Sequence, residues 1–170
     1  EKPIEVLFEG ADTDIFKKLK VSDESIKSEL SNIKENFSLL FVGHWLQGVD
    51  GQDRKDCYMM IKTFLTAFKD TKNPPALVLK TSGALPSVLD REAIFKKIRE
   101  IRHTVSFKKT LPNIYLLHGT LTDIQMNELY NHHKIKSLIS FTHGEGFGRP
   151  LLEFTMAEKP VIATGWSGHV

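Results

Sequence analysis

HGEGFGRPLLEF, residues 143–154, follows an apolar run at 137–141 and leads into a helical pattern that opens at Pro150 and closes at Glu158, before Lys159-Pro160. Gly144, Gly146 and Gly148 stand in the turn between them. Glycine accepts a sharp turn and lets backbone approach a ligand closely, and the N–H groups that open the following helix favour anionic oxygens. Proline is accommodated in a first helical turn, where its missing donor leaves no bond unmade. Two carboxylates, Glu145 and Glu153, lie eight positions apart around the glycines. A carboxylate accepts hydrogen bonds from vicinal hydroxyls, so the segment joins a phosphate cradle to two grips for diols. A glycine-rich turn alone is common in doubly wound proteins; the paired glutamates and the flanking elements give this one its specificity. The layout suits a sugar attached to a nucleotide.

Outward from this segment the same alternation recurs. Apolar runs at 37–42, 76–80, 113–117, 137–141 and 160–164 are rich in Ile, Leu, Val or Phe with little alternation. Continuous apolar runs predict parallel strands covered on both faces. Helical patterns fill the intervals at 55–68, 87–104, 122–132 and 150–158, with Asp123 or Thr122 as N-cap of the third. The order predicts an α/β fold with a doubly wound, Rossmann-like parallel sheet. Residues 17–36, dense in Lys, Ser, Glu and Asn, read as a polar connector carrying one short amphipathic helix. Residues 37–170 thus form a ligand-binding domain, with residues 1–36 as the segment and polar connector that precede it.

In the common strand order 3-2-1-4-5 the first and fourth strands are neighbours, and ligands bind in the crevice beyond their carboxyl ends. The loop after the fourth strand is the glycine–glutamate segment. The loop after the first is GHWLQGVDGQDRKD, residues 43–56, with Arg54 and Lys55 expected at the start of the next helix. A guanidinium and an ammonium there would neutralise a diphosphate held by the opposite loop.

EGFGRPLLEFTMAEKPVIAT, residues 145–164, resembles the E-x7-E segment of retaining GT-B glycosyltransferases, family 4 in particular, departing at Phe154, Thr155 and Glu158 while keeping both glutamates. VLFEGADTDIF, residues 6–16, is similar to the segment that hinges the two domains of those enzymes. Two ordered matches spanning nearly the whole chain are far more specific than either alone. The resemblance implies the C-terminal, donor-binding half of a GT-B fold, stopping before the family's closing strand and helices. It implies transfer of a glycosyl group from a nucleoside diphosphate sugar with retention, no bound metal and no cofactor, and an N-terminal acceptor domain as partner. It places Glu145 against the donor sugar, Glu153 on the ribose, the backbone of Gly146, Phe147 and Gly148 on sugar and phosphate, and Gly119 to Leu121 along the base. Where the family has an arginine directly after the glycine that ends the first strand, this chain has His44; Lys55, then Arg54, then His44 are the expected phosphate contacts.

Composition agrees with a single domain: 170 residues with 41% hydrophobic content bury one core. A net charge of +2 does not point to nucleic acid. One cysteine, Cys57, makes no internal disulfide, and neither a signal peptide nor a long apolar run is evident, so a reducing cytoplasm is expected. Asp12-Thr13-Asp14 matches a metal-binding D-x-D, but in a hinge-like segment rather than at a strand end; His118 and His132-His133 lack partners at zinc spacing. Ile94, Ile98, Ile101 and Val105 form one stripe with Lys96, Lys97, Arg99 and Arg102 around it, a pattern that serves an anionic membrane surface or, as favoured here, packing on the sheet. Two rival readings are a nicotinamide-dependent oxidoreductase domain, which needs G-x-G-x-x-G where this chain has Arg149, and a non-catalytic α/β interaction domain.

Overall fold

A computed structural model of the chain describes residues 2–5, 7, 9–46, 51–83 and 85–170. Val6 and Phe8 of the hinge-like segment and residues 47–50 of the loop after the first strand lie outside the described residues. The elements run α1 (Glu24–Ser31), β1 (Ser38–Val42), α2 (Cys57–Phe68), β2 (Ala76–Lys80), α3 (Val88–Thr104), β3 (Ile114–Leu117), α4 (Asp123–Asn131), β4 (Ile135–Ser140), α5 (Arg149–Thr155) and β5 (Val161–Ala163). The strands pair in parallel in the order β3-β2-β1-β4-β5. This is the doubly wound α/β sheet that the apolar runs predict, with β1 and β4 side by side at the switch point.

Strand residues are apolar throughout because both faces are covered. Leu39, Phe41, Leu77 and Leu79 pack with α2 and α3, while Leu40, Ala76 and Val78 pack with α1, α4 and α5. Ile94, Ile98, Ile101 and Val105 are all buried in the first of these layers. That stripe of α3 faces the sheet and offers nothing to a lipid surface. The connector also contributes: Phe16, Ile26, Leu30 and Ile33 are buried in the second layer. Among the described residues, no helix is long and apolar enough to cross a membrane.

Several boundaries differ from the sequence expectation for local reasons. The helix expected from residue 55 begins at Cys57, because the carboxylate of Asp53 accepts from the backbone N–H groups of Lys55 (3.2 Å) and Cys57 (3.3 Å) and closes a turn of its own. Asp56, at φ 48°, caps the helix by accepting from Met59 N–H. Arg54 and Lys55 therefore sit in the turn before α2. Thr122 is the N-cap of α4, with Gln125 completing a capping box. Helix α5 opens at Arg149 and ends at Thr155, and Glu158, at φ 57°, turns the chain into β5. Strand β4 begins at Ile135, ahead of the run at 137–141, with a register shift against β1 between Ser38 and Leu39.

Candidate functional site

The crevice beyond β1 and β4 is closed by two loops that grip each other. His143 N–H donates to the Arg54 carbonyl at 2.8 Å, and the Thr142 hydroxyl lies 3.2 Å from the same oxygen. This backbone tie sets the Arg54–Lys55 turn directly against the glycine–glutamate loop. The Glu145 carboxylate then takes both cations: Lys55 Nζ donates to Oε1, and an Arg54 guanidinium nitrogen to Oε2 at 3.1 Å. The same Arg54 nitrogen donates to the Gly144 carbonyl at 2.7 Å. Lys55 and Glu145 are largely buried, with 12% and 9% of their side chains exposed, while Arg54 reaches solvent at 60%. Burial alone would push the Glu145 carboxyl up, but the hydrogen bonds and charges of Lys55 and Arg54 outweigh it and hold the group below the ordinary glutamate value.

Behind this loop the C-terminal segment docks. Glu145 N–H donates to the Ser167 hydroxyl at 3.0 Å, the Ser167 hydroxyl lies 3.0 Å from the Glu145 carbonyl, and Gly168 N–H donates to that carbonyl at 3.1 Å. A β-carbon on Gly168 would sit 2.0 Å from the Gly146 carbonyl, so only glycine permits this approach. Gly148 is under two constraints: its φ is +79°, and a β-carbon would meet that of His169 at 2.8 Å. Phe147 and Gly148 line a cleft of about 530 Å³ with Leu151, Thr164 and His169.

Glu153 occupies a different setting. It is 6% exposed on α5, accepts from Arg149 Nε at 3.1 Å on one oxygen, and from the Tyr130 hydroxyl at 3.3 Å on the other. Burial raises its pKa above the ordinary glutamate value, only partly opposed by Arg149 and Tyr130. The two glutamates thus shift in opposite directions, and the structure does not join them in one cluster. His44 turns the other way as well: its Nδ1 lies 3.2 Å from the Gly83 carbonyl and 3.5 Å from the Ser82 hydroxyl, in the loop after β2. Gly119, at φ +103°, presents its carbonyl to Lys80 Nζ at 2.6 Å, and Leu121 lines a smaller cleft beside it.

The structure adds residues that the sequence did not single out. Tyr130 on Glu153 and Ser167 on Glu145 carry no local signal; they meet their partners only through packing. Arg149 stands four residues before Glu153 on one helical face, a spacing that would have revealed the pair. Asp56 lies 3.3 Å from His143 Nε2, and Asp90 2.7 Å from His118 Nε2. Asp12 and Asp14 are exposed, and Asp12 caps its own turn through Asp14 N–H at 2.9 Å. Among the described residues no group of three or more His, Cys, Asp or Glu is placed to hold a metal ion.

No protein-family profile matches the chain. No curated protein sequence matches it either. Among solved structures it is similar to the crystal structure of the C-terminal domain of a glycosyl transferase group 1 family protein, LpcC, from Francisella tularensis, with a TM-score of 0.63 and 16% identity over 91% of this chain and 70% of that one. At that identity the likeness is one of fold: a Rossmann-like sheet of the kind that forms the C-terminal domain of such a transferase.

Proposed function

We propose that this chain is the donor-binding domain of a GT-B glycosyltransferase, similar to the retaining family 4 enzymes, moving a hexosyl-type group from a nucleoside diphosphate sugar to an acceptor held by a second, N-terminal domain. The observation that carries this reading is the Lys55–Glu145–Arg54 cluster at the β1/β4 switch point, where α/β sheets of this order take their ligands. Two cations there are suited to the charge that builds on a leaving diphosphate as the glycosyl–phosphate bond breaks and its electron pair passes to phosphate oxygen. Arg54 and Lys55 supply that charge from side chains, without a metal. Glu145, already at their centre, lies where it would meet the donor sugar. Glu153 accepts from the ribose hydroxyls by exchanging its Arg149 contact, the backbone of Gly146, Phe147 and Gly148 follows the sugar and phosphate, and Gly119 and Leu121 border the base, while His44, turned toward Gly83, would have to swing back to reach the phosphate. That the Francisella neighbour is itself a C-terminal domain supports the two-domain reading, and a cytoplasmic location fits the single buried cysteine.

Calorimetric titration with UDP, GDP and ADP in the presence of a chelator tests the proposal. Binding of at least one of them without metal, weakened by Lys55→Met, is the expected result. Failure of all three to bind, or strict metal dependence abolished by Asp12→Asn and Asp14→Asn, would overturn it.

A further inference from the structure

Lys80 ends β2 on the ligand side of the sheet and stands between two small clefts. One, of about 230 Å³, is lined by the apolar side chains of Ile26, Leu30, Leu117 and Leu121 together with polar Ser25, Glu29, His118 and Thr120. The other, of about 130 Å³, lies against Gly43, His44, Thr81, Ser82 and Met126. The side chain belongs to both.

An ammonium has three donors, and the Gly119 carbonyl accepts one of them at 2.6 Å. Among the described residues no carboxylate pairs with Lys80, and burial, with no opposing charge, pulls its pKa below the ordinary lysine value. A half-buried cation left with unmet donors is costly unless a partner supplies acceptors. Thr81, 2% exposed, repeats the deficit: its hydroxyl has no hydrogen-bond partner among the described residues. Lys80 thus calls for an oxygen acceptor in a cleft where Ile26, Leu30, Leu117 and Leu121 offer apolar surface to a flat ring, and Thr81 leaves a second polar group unmet on the adjoining cleft.

We propose that Lys80 reads the base of the donor nucleotide, donating to an exocyclic carbonyl oxygen and so selecting keto bases (uracil, thymine or guanine) against adenine. The proposal rests on the donor-binding reading given above and adds to it the class of base. Adenine offers an amino group where the others offer a carbonyl, and a donor set against an ammonium leaves both unpaired. A site built to hydrogen-bond one group rejects the analogue that lacks it far more strongly than an apolar pocket does.

The test uses the 170-residue chain with UDP, GDP, ADP and inorganic pyrophosphate as probes. UDP or GDP is expected to bind at least about tenfold more tightly than ADP. Lys80→Met should bring that nucleotide down to the ADP level and leave pyrophosphate binding unchanged, while Lys80→Gln, which keeps a donor without the charge, should retain much of the preference. Equal affinity of the unaltered chain for ADP and the keto nucleotides would overturn the assignment of Lys80 and leave the donor site standing. So would a Lys80→Met chain that weakens pyrophosphate as much as nucleotide, which would make Lys80 a phosphate contact. Absence of binding by every nucleotide would overturn both readings together.

Discussion

Lys55 Nζ donates to Glu145 Oε1 across the crevice between β1 and β4, although 90 positions separate the two residues. Arg54 shares the same carboxylate, so one anion sits between two cations in a largely buried place. Because the folded pKa of Glu145 is depressed, the cluster stabilises the fold above the ordinary value of 4.5, and that contribution is lost as pH falls through the folded value. Side-chain carboxyl NMR titration should place Glu145 below the ordinary glutamate value. In Lys55→Met the group should titrate higher. An unchanged titration would mean that the pair is not formed in solution.

Under the proposed function, a diphosphate would compete with Glu145 for the donors of Lys55 and Arg54. Lys55→Met should weaken binding of a bare nucleoside diphosphate by roughly 2 kcal/mol, the loss of a charge-assisted contact. Glu145→Gln should strengthen it by about 1 kcal/mol, because a like charge leaves the phosphate environment. Calorimetry on both variants checks the opposite signs, and equal signs would contradict the arrangement.

Glu153 should behave in the reverse sense to Glu145 on titration. Its folded pKa is raised, so its contribution to stability is complete below 4.5 and declines as pH rises through the folded value. Glu153→Gln removes a desolvated charge while keeping an oxygen for Tyr130. Urea denaturation at pH 7 should show stability maintained or increased, while nucleotide affinity falls by roughly 1 to 3 kcal/mol if the carboxylate holds the ribose. Loss of stability with unchanged affinity would assign Glu153 to the fold alone.

His132, buried at the end of α4, has its pKa lowered to about 4 by burial first and by His133, Lys134 and Lys159 after it. The unfolded chain therefore takes up this proton near 6.5, before the folded one does, and stability drains away between pH 6.5 and 4. Replacing it with Gln should flatten that part of the denaturation profile, by at most about 3 kcal/mol over the interval. A profile of unchanged slope would show the imidazole to be solvated.

Phe154 is fully buried and meets Tyr130 edge-on, with ring centroids 5.5 Å apart at 81°. Phe154→Ala should cost about 3 to 5 kcal/mol in thermal or chemical unfolding, through the cavity it leaves. A loss below about 1 kcal/mol would show that the helix repacks onto the sheet.

The strands and their order were legible because their cause is local and repeated. Runs such as Leu39-Leu40-Phe41 and Leu77-Val78-Leu79 are apolar on both sides of the pleat, which only a sheet covered on both faces requires. The common doubly wound order 3-2-1-4-5 then sets the loops after β1 and β4 face to face, and the strands pair in that order. Chemistry-bearing residues could be named one by one for the same reason: glycines, glutamates and a basic pair stand in loops whose place the strand order sets.

What each of those residues touches was decided only in three dimensions. Arg54 and Lys55 left the helix because Asp53 and Asp56 offered the backbone nearer acceptors, a competition that apolar periodicity does not register. Ser167 closing on Glu145, Tyr130 reaching Glu153, His44 leaning on the loop after β2 and Lys80 standing between two clefts all depend on crossovers that bring distant segments together. Hydrophobic burial is non-directional and writes its pattern into neighbouring residues, whereas a hydrogen bond is directional and needs two groups placed to within a fraction of an ångström. The sequence by itself determined the layers and the crevice; the packing of those layers determined which carboxylate meets which cation.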